Sequence, residues 1–233
     1  MMMIDKKYPG LNEEFNCGGY QIKVKHSVTG RKPFVRILLG PGLFTASEDV
    51  VLANMAHLAV AENIDIVRFD YPEELKATTM HPHLSERRKI YRCIFKHIIA
   101  ESDEEVPLFI GGKSLSALVA SEISDKAIAG YVFISLPLRL PYIPIPLPQP
   151  GINKNHKPML FIYGKQDELA PFKSVEKKIK KLNPHAYLLL LPEAGHSLQP
   201  VMEDGRSQEE INEEISNVLF WYISDVLHKR KLN

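Results

Sequence analysis

A doubly wound α/β fold, a mostly parallel sheet of about seven strands with helices on both faces, is what this sequence predicts. Three observations predict it. Short apolar runs recur along the chain, segments with helical hydrophobic spacing separate them, and each run closes on a Gly, Pro or Asp loop signal.

In chain order, YQIKVKHS (20–27) alternates apolar and polar residues, as an edge or half-buried strand does. Val35–Leu39 is a short apolar run ending at Gly40-Pro41-Gly42. Ser47 is placed to cap a helix over 48–62, where Val51, Met55 and Leu58 recur at helical spacing. Asp65–Phe69 reads as the next strand. Over 85–100, Ile90, Cys93, Ile94, His97 and Ile98 form a helical stripe. Strand 107–110, helix 114–124 and strand 130–136 come next, then strand 159–163, helix 172–182 and strand 186–191. The last helix opens on Ser207-Gln-Glu-Glu210, a capping box, with Ile211, Ile215, Val218, Leu219, Tyr222 and Val226 along one face. No repeat or linker divides residues 1–233, which read as one α/β domain.

One stretch breaks the alternation. Residues 137–150, PLRLPYIPIPLPQP, carry six prolines, which exclude helix interior and central strand alike. An extended apolar loop is expected, either a polyproline II ligand for a partner or, as favoured here, a cover over the site across 137–157.

The 233 residues are 45% hydrophobic, enough for a sizeable core, and carry 29 basic against 28 acidic side chains. That balance offers no electrostatic footprint for nucleic acid. MMMIDKKYPG contains no apolar signal-peptide core, and no stretch is long and apolar enough to span a bilayer. Cys17 and Cys93 lie far apart, with Cys93 on an apolar helical stripe, so free thiols in a reduced, cytoplasmic protein are expected.

The chemistry turns on LFIGGKSLSALVA (108–120). Gly112-Lys113-Ser114 could end a phosphate-binding loop, but that motif needs a glycine where Pro107 stands, and 107–110 reads as strand. It could be a plain βα turn. It could also be a nucleophile elbow, whose neighbours two positions either side of the serine must be small; Gly112 and Ser116 are. Two residues later in the chain favour the elbow. A serine hydroxyl needs a general base, and the base needs an acid to hold its tautomer. Asp167 stands just past strand 159–163, and His196 just past strand 186–191. In open α/β sheets such groups converge at the carboxyl ends of the strands.

On G-K-S-L-S (112–116), Y-G-K-Q-D-E (163–168) and A-G-H-S-L (194–198), the chain resembles the α/β-hydrolase family, in strand–helix order from about residue 33 onward. It looks most like the small, dienelactone-hydrolase-sized members with little or no helical cap. The resemblance implies Ser114 as nucleophile, His196 as general base and acid, Asp167 as its orienting partner, and no cofactor. It also implies an oxyanion hole: the N–H of Leu115 and a second N–H from the loop Leu39–Phe44. There leucine replaces the family's usual histidine, and Pro41 has no N–H, leaving Gly42 or Leu43 as donor.

Glu168 is the rival acid to Asp167. Lys113 reads as solvent-facing or paired with a surface carboxylate, His97 as a satisfied core histidine, and 177–181 as a solvated helix face. His81-Pro82-His83 invites a metal, but no acidic or cysteine cluster joins it, so loop surface is expected. The expected function is hydrolysis of a small acyl ester or thioester, with Leu43, Phe44 and 136–147 forming an apolar lip. The alternative is a non-catalytic binding module, motivated by Pro41 and Ser116.

Overall fold

A computed structural model describes residues 12–28, 30–75, 84–140, 143–146, 152, 156–182, 186–201 and 205–232. Its main sheet has eight strands. These are β1 Asn12–Cys17, β2 Tyr20–Lys25, β3 Val35–Gly40, β4 Ile64–Phe69, β5 Leu108–Lys113, β6 Ile128–Ile134, β9 Met159–Gly164 and β10 Ala186–Leu191. They stand in the order β1-β2-β4-β3-β5-β6-β9-β10. The six strands from β4 to β10 pair in parallel, and β1 and β2 add antiparallel at the β4 edge.

Every residue of β3, β5, β6 and β9 is buried, which is why they read as continuous apolar runs rather than alternating ones. Helices cover both faces. Helices α2 (Leu84–Glu101), α3 (Leu115–Ser121) and α4 (Phe172–Ile179) enclose one core, centred on Leu38, Ile110, Phe133 and Phe161. Helices α1 (Val50–Ala59) and α5 (Gln208–Leu232) enclose the other, around Ile37, Leu39, Val132 and Ile162. The box at Ser207 forms as expected. Its backbone N–H donates to Glu210 Oε2 (2.8 Å), and the Glu210 N–H donates to Ser207 Oγ (3.2 Å).

Three expectations change. The cap of α1 is Asp49, whose carboxylate accepts from the Val51 N–H at 3.1 Å; Ser47 instead donates through both N and Oγ to Asp70 at the end of β4. Part of the proline-rich stretch pairs as a two-stranded sheet, β7 (Arg139–Leu140) with β8 (Ile143–Pro146). Prolines are tolerated there because both strands are edges. Residues 141–142, 147–151 and 153–155 of the expected cover lie outside the described residues, as do His81, Pro82 and His83.

The third change concerns the cysteines. Cys17 and Cys93 form a disulfide, with Cα atoms 5.8 Å apart. Strand β1, which carries Cys17, folds back on β2 and lies along α2, bringing together residues 76 apart in sequence. Free thiols are therefore not what this fold holds, and the cytoplasmic expectation loses the argument it rested on, since such bonds persist in oxidising compartments. Among the described residues, no helix is long and apolar enough to cross a membrane.

Candidate active site

Strand β5 ends in a sharp turn. Ser114 takes φ 52°, ψ −114°, a conformation that L-residues rarely adopt, and its N–H donates to Ile134 O at 2.8 Å. Small neighbours make this turn possible. A Cβ on Gly111 would lie 1.8 Å from Val132 O, and one on Gly112 would lie 2.6 Å from Gly40 O. Tyr91 of α2 holds the same backbone: its hydroxyl donates to Gly111 O (2.6 Å) and accepts from the Gly111 N–H (3.1 Å). Ser116 fits where a glycine is usual because Cβ atoms on Gly40 and Gly112 would each collide with it, at 2.6–2.7 Å. Its hydroxyl then donates to Pro41 O at 2.5 Å.

The late loops bring the other two groups to this turn. His196 Nε2 lies 2.9 Å from Ser114 Oγ, and His196 Nδ1 lies 2.8 Å from Asp167 Oδ2. Asp167 is buried, and its second oxygen accepts the N–H groups of Leu169 (2.8 Å) and Ala170 (3.2 Å). With those donors in place its carboxylate is an acceptor toward His196, so Nδ1 carries the ring proton and Nε2 presents its lone pair to the serine. Glu168, the rival acid, is exposed. Gly164 allows the Asp loop and the His loop to touch, since a Cβ there would sit 2.2 Å from Ala194 O.

Lys113 pairs with a carboxylate, one of its two expected readings, but the pair is buried and not at the surface. It is buried, and Nζ donates to Asp49 Oδ2 (2.6 Å) and to Ser197 O (3.0 Å), one residue past His196. The start of α1, the end of β5 and the histidine loop thus meet on one cation. His97 is partnered but half-buried: Nε2 lies 2.7 Å from Glu13 Oε1, and the ring stacks on Phe15 at 3.8 Å.

The loop after β3 lies against Ser114. A Cβ on Gly42 would approach Ser114 Cβ to 3.6 Å. The Gly42 N–H already donates to Thr45 Oγ1 (2.8 Å), while Leu43 N and Leu115 N donate to no protein group among the described residues. A cavity of about 860 Å³ opens over Ser114 and His196. Leu43, Phe44, Val50, Leu169 and Val201 give it an apolar lining, and Pro137 and Arg139 border it. Phe44 is 69% exposed at this rim. Sequence reasoning missed Asp49, Thr45 and Arg87. Only Arg87 left a signal, a charge three residues before Ile90 on the apolar stripe of α2.

A family model described as an alpha/beta hydrolase domain matches residues 35–224, most of the chain. The chain belongs to the α/β-hydrolase family. The hydrolase also resembles solved structures. Est1E from Butyrivibrio proteoclasticus has a TM-score of 0.70 at 14% identity, covering 92% of this chain and 100% of its own. XC6422 from Xanthomonas campestris, described as a serine hydrolase without lid, scores 0.67 at 15% identity, covering 95% of each chain. A serine hydrolase homologue from Coxiella burnetii scores 0.65 at 16%, covering 89% of this chain and 94% of its own. At these identities the likeness is one of fold. Among the described residues this hydrolase has an eight-stranded, mostly parallel sheet and no large cap.

Proposed function

We propose that this chain is a serine hydrolase that cleaves a carboxylic ester or thioester through an acyl-enzyme on Ser114. The observation that carries the reading is the unbroken relay Ser114 Oγ–His196 Nε2, His196 Nδ1–Asp167 Oδ2, at 2.9 and 2.8 Å. As Ser114 Oγ bonds to the acyl carbon, its proton passes to His196 Nε2 and the carbonyl π pair moves onto oxygen. The imidazolium formed is stabilised by Asp167. His196 then protonates the departing alcohol or thiol, and a water, deprotonated by the same nitrogen, releases the acid.

The N–H groups of Leu115 and Leu43 are the proposed oxyanion donors. Gly42, the other candidate, is committed to Thr45. The 860 Å³ cavity and its Leu43, Phe44 and Val201 rim suit an apolar acyl or aromatic group of moderate size. Among the similar structures are Est1E with ferulic acid, an aromatic acid, bound and a thioesterase domain from a curacin pathway, which supports an aromatic acyl group and a thioester among the substrates considered. Pro137 and Arg139, at the start of the proline-rich stretch, are proposed as part of the wall of this cavity. The binding-module alternative rested on Pro41 and Ser116. Each has a structural place that leaves the relay intact, which supports the catalytic reading.

A fluorophosphonate probe tests the proposal. Wild type is expected to label on Ser114 and to hydrolyse p-nitrophenyl esters, and Ser114→Ala to do neither. His196→Ala is expected to lower kcat by roughly 10⁴–10⁶-fold. Wild type that resists the probe, or labelling that survives Ser114→Ala, overturns the reading.

A further inference from the structure

Arg87 is fully buried, 1% exposed, yet it has no carboxylate partner among the described residues. The adjoining stretch 76–83, KATTMHPH, contains no acidic residue either. Its guanidinium lies over the Tyr71 ring, 4.3 Å from the centroid. Nη2 donates to Leu43 O (3.2 Å) and Leu75 O (2.6 Å), while Nε and Nη1 have no partner among the described residues. Burial pushes the group below the usual arginine range. An isolated interior cation with orphan donors is costly and invites a functional explanation.

The explanation lies in the loop it touches. The peptide joining Pro41 and Gly42 is clamped at both ends, its C=O by Ser116 Oγ and its N–H by Thr45 Oγ1. The peptide joining Leu43 and Phe44 has its C=O clamped by Arg87. Between them stands one peptide whose N–H, that of Leu43, has no protein acceptor among the described residues. Clamps on both sides fix its plane. Ser116 Oγ also lies 3.3 Å from Tyr71 OH, so the two clamps share one buried network beneath the loop.

We propose that Arg87 is a positioning residue for oxyanion stabilisation: it holds the Leu43 peptide in place, and its uncompensated charge favours negative charge on the acyl oxygen. A cation held in a dry core is not screened by salt as a surface one would be, and it requires no reorganisation as the oxyanion forms. In this chain the side chains beneath the loop fix the Leu43 N–H, which stands in for the one Pro41 lacks.

The inference rests on the serine-hydrolase reading, and its test separates the two. Arg87→Met and Arg87→Lys are compared with wild type for kcat and KM on p-nitrophenyl butyrate. The same proteins are titrated with a trifluoromethyl ketone, to which Ser114 adds to form an alkoxide, and with the matching methyl ketone, which binds unreacted. For Arg87→Met we expect kcat to fall about a hundredfold with KM within twofold, the size of a lost oxyanion donor. Trifluoromethyl ketone affinity should fall in parallel and methyl ketone affinity stay constant. Arg87→Lys keeps the charge but not the fork, so a loss of about tenfold is expected. Full kcat in either folded variant, or equal weakening of both ketones, overturns the inference alone. Should Arg87→Met fail to fold in a thermal melt, Arg87→Lys decides by the same criteria. Wild type that resists the fluorophosphonate overturns the parent reading and this one with it.

Discussion

Lys113 shows how one side chain ties three elements together. Its ammonium and the Asp49 carboxylate are each 6% exposed and 2.6 Å apart, and the same nitrogen holds Ser197 O. Removing one partner strands the other in the interior, which typically costs about 3–5 kcal/mol. Lys113→Met and Asp49→Asn should therefore each lower unfolding free energy by about that amount, read by urea denaturation. The double variant should regain more than half of the loss, because no charge is left unpaired. A sum of the two single losses in the double variant would show that the pair is not coupled. Lysine is rarely buried, so without Asp49 in view its sequence position suggests solvent. Ser114, Asp167 and His196 were legible for the opposite reason: their order and strand-end placement form a pattern that a single lysine cannot.

Strand β1 is the half of the β1–β2 hairpin that the sequence hid; β2 was legible in the alternation of YQIKVKHS. NEEFNC alternates exposed and half-buried positions, with only Cys17 fully buried, so no apolar period announces a strand. Beside the disulfide and the stacking of Phe15 on His97, ionic contacts attach it. Glu13 reaches His97 (2.7 Å) and His26 (3.5 Å), and His26 Nδ1 contacts the buried Asp65 at 2.8 Å. Hydrogen bonding to His26, reinforced by His97, lowers Glu13 from 4.5 to about 2. Burial alone would lower His26, but Asp65 and Glu13 outweigh it and raise the ring above 6.5. A depressed carboxyl contributes its full stability above 4.5 and loses it as pH falls toward 2; a raised histidine contributes fully below 6.5 and loses it as pH rises through the higher folded value. Thermal stability should therefore peak between about pH 4.5 and 6.5 as far as this hairpin governs it. Glu13→Gln should shrink the acid limb of that dependence, leaving the part that Asp65 contributes, its burial outweighed by His26 so that it too is lowered. An unchanged acid limb in calorimetry would place the effect elsewhere.

At the scale of the molecule, the two-faced core was legible because a buried parallel sheet writes apolar runs into the sequence, and β3, β5, β6 and β9 are such runs. Strand order was not, since crossovers leave no local mark. The disulfide was hidden by the same unread strand. A loop as long as the one it closes adds about 4.5 kcal/mol by loop-closure entropy, so Cys17→Ser with Cys93→Ser should lower Tm by roughly 9–18 °C for a chain of this size. An unchanged Tm would mean that the sulfurs are not joined in the purified protein.

The same bond has a mechanical consequence. If the molecule is pulled from its two ends, tension passes through the sulfurs and bypasses the 76-residue span between them. Its stretched length should then be shorter than that of the reduced chain by roughly 270 Å, at about 3.6 Å per residue. Arg87 and the loop Gly40–Thr45 lie inside that sheltered ring. Ser114, Asp167 and His196 lie outside it, on the part of the chain that carries the force.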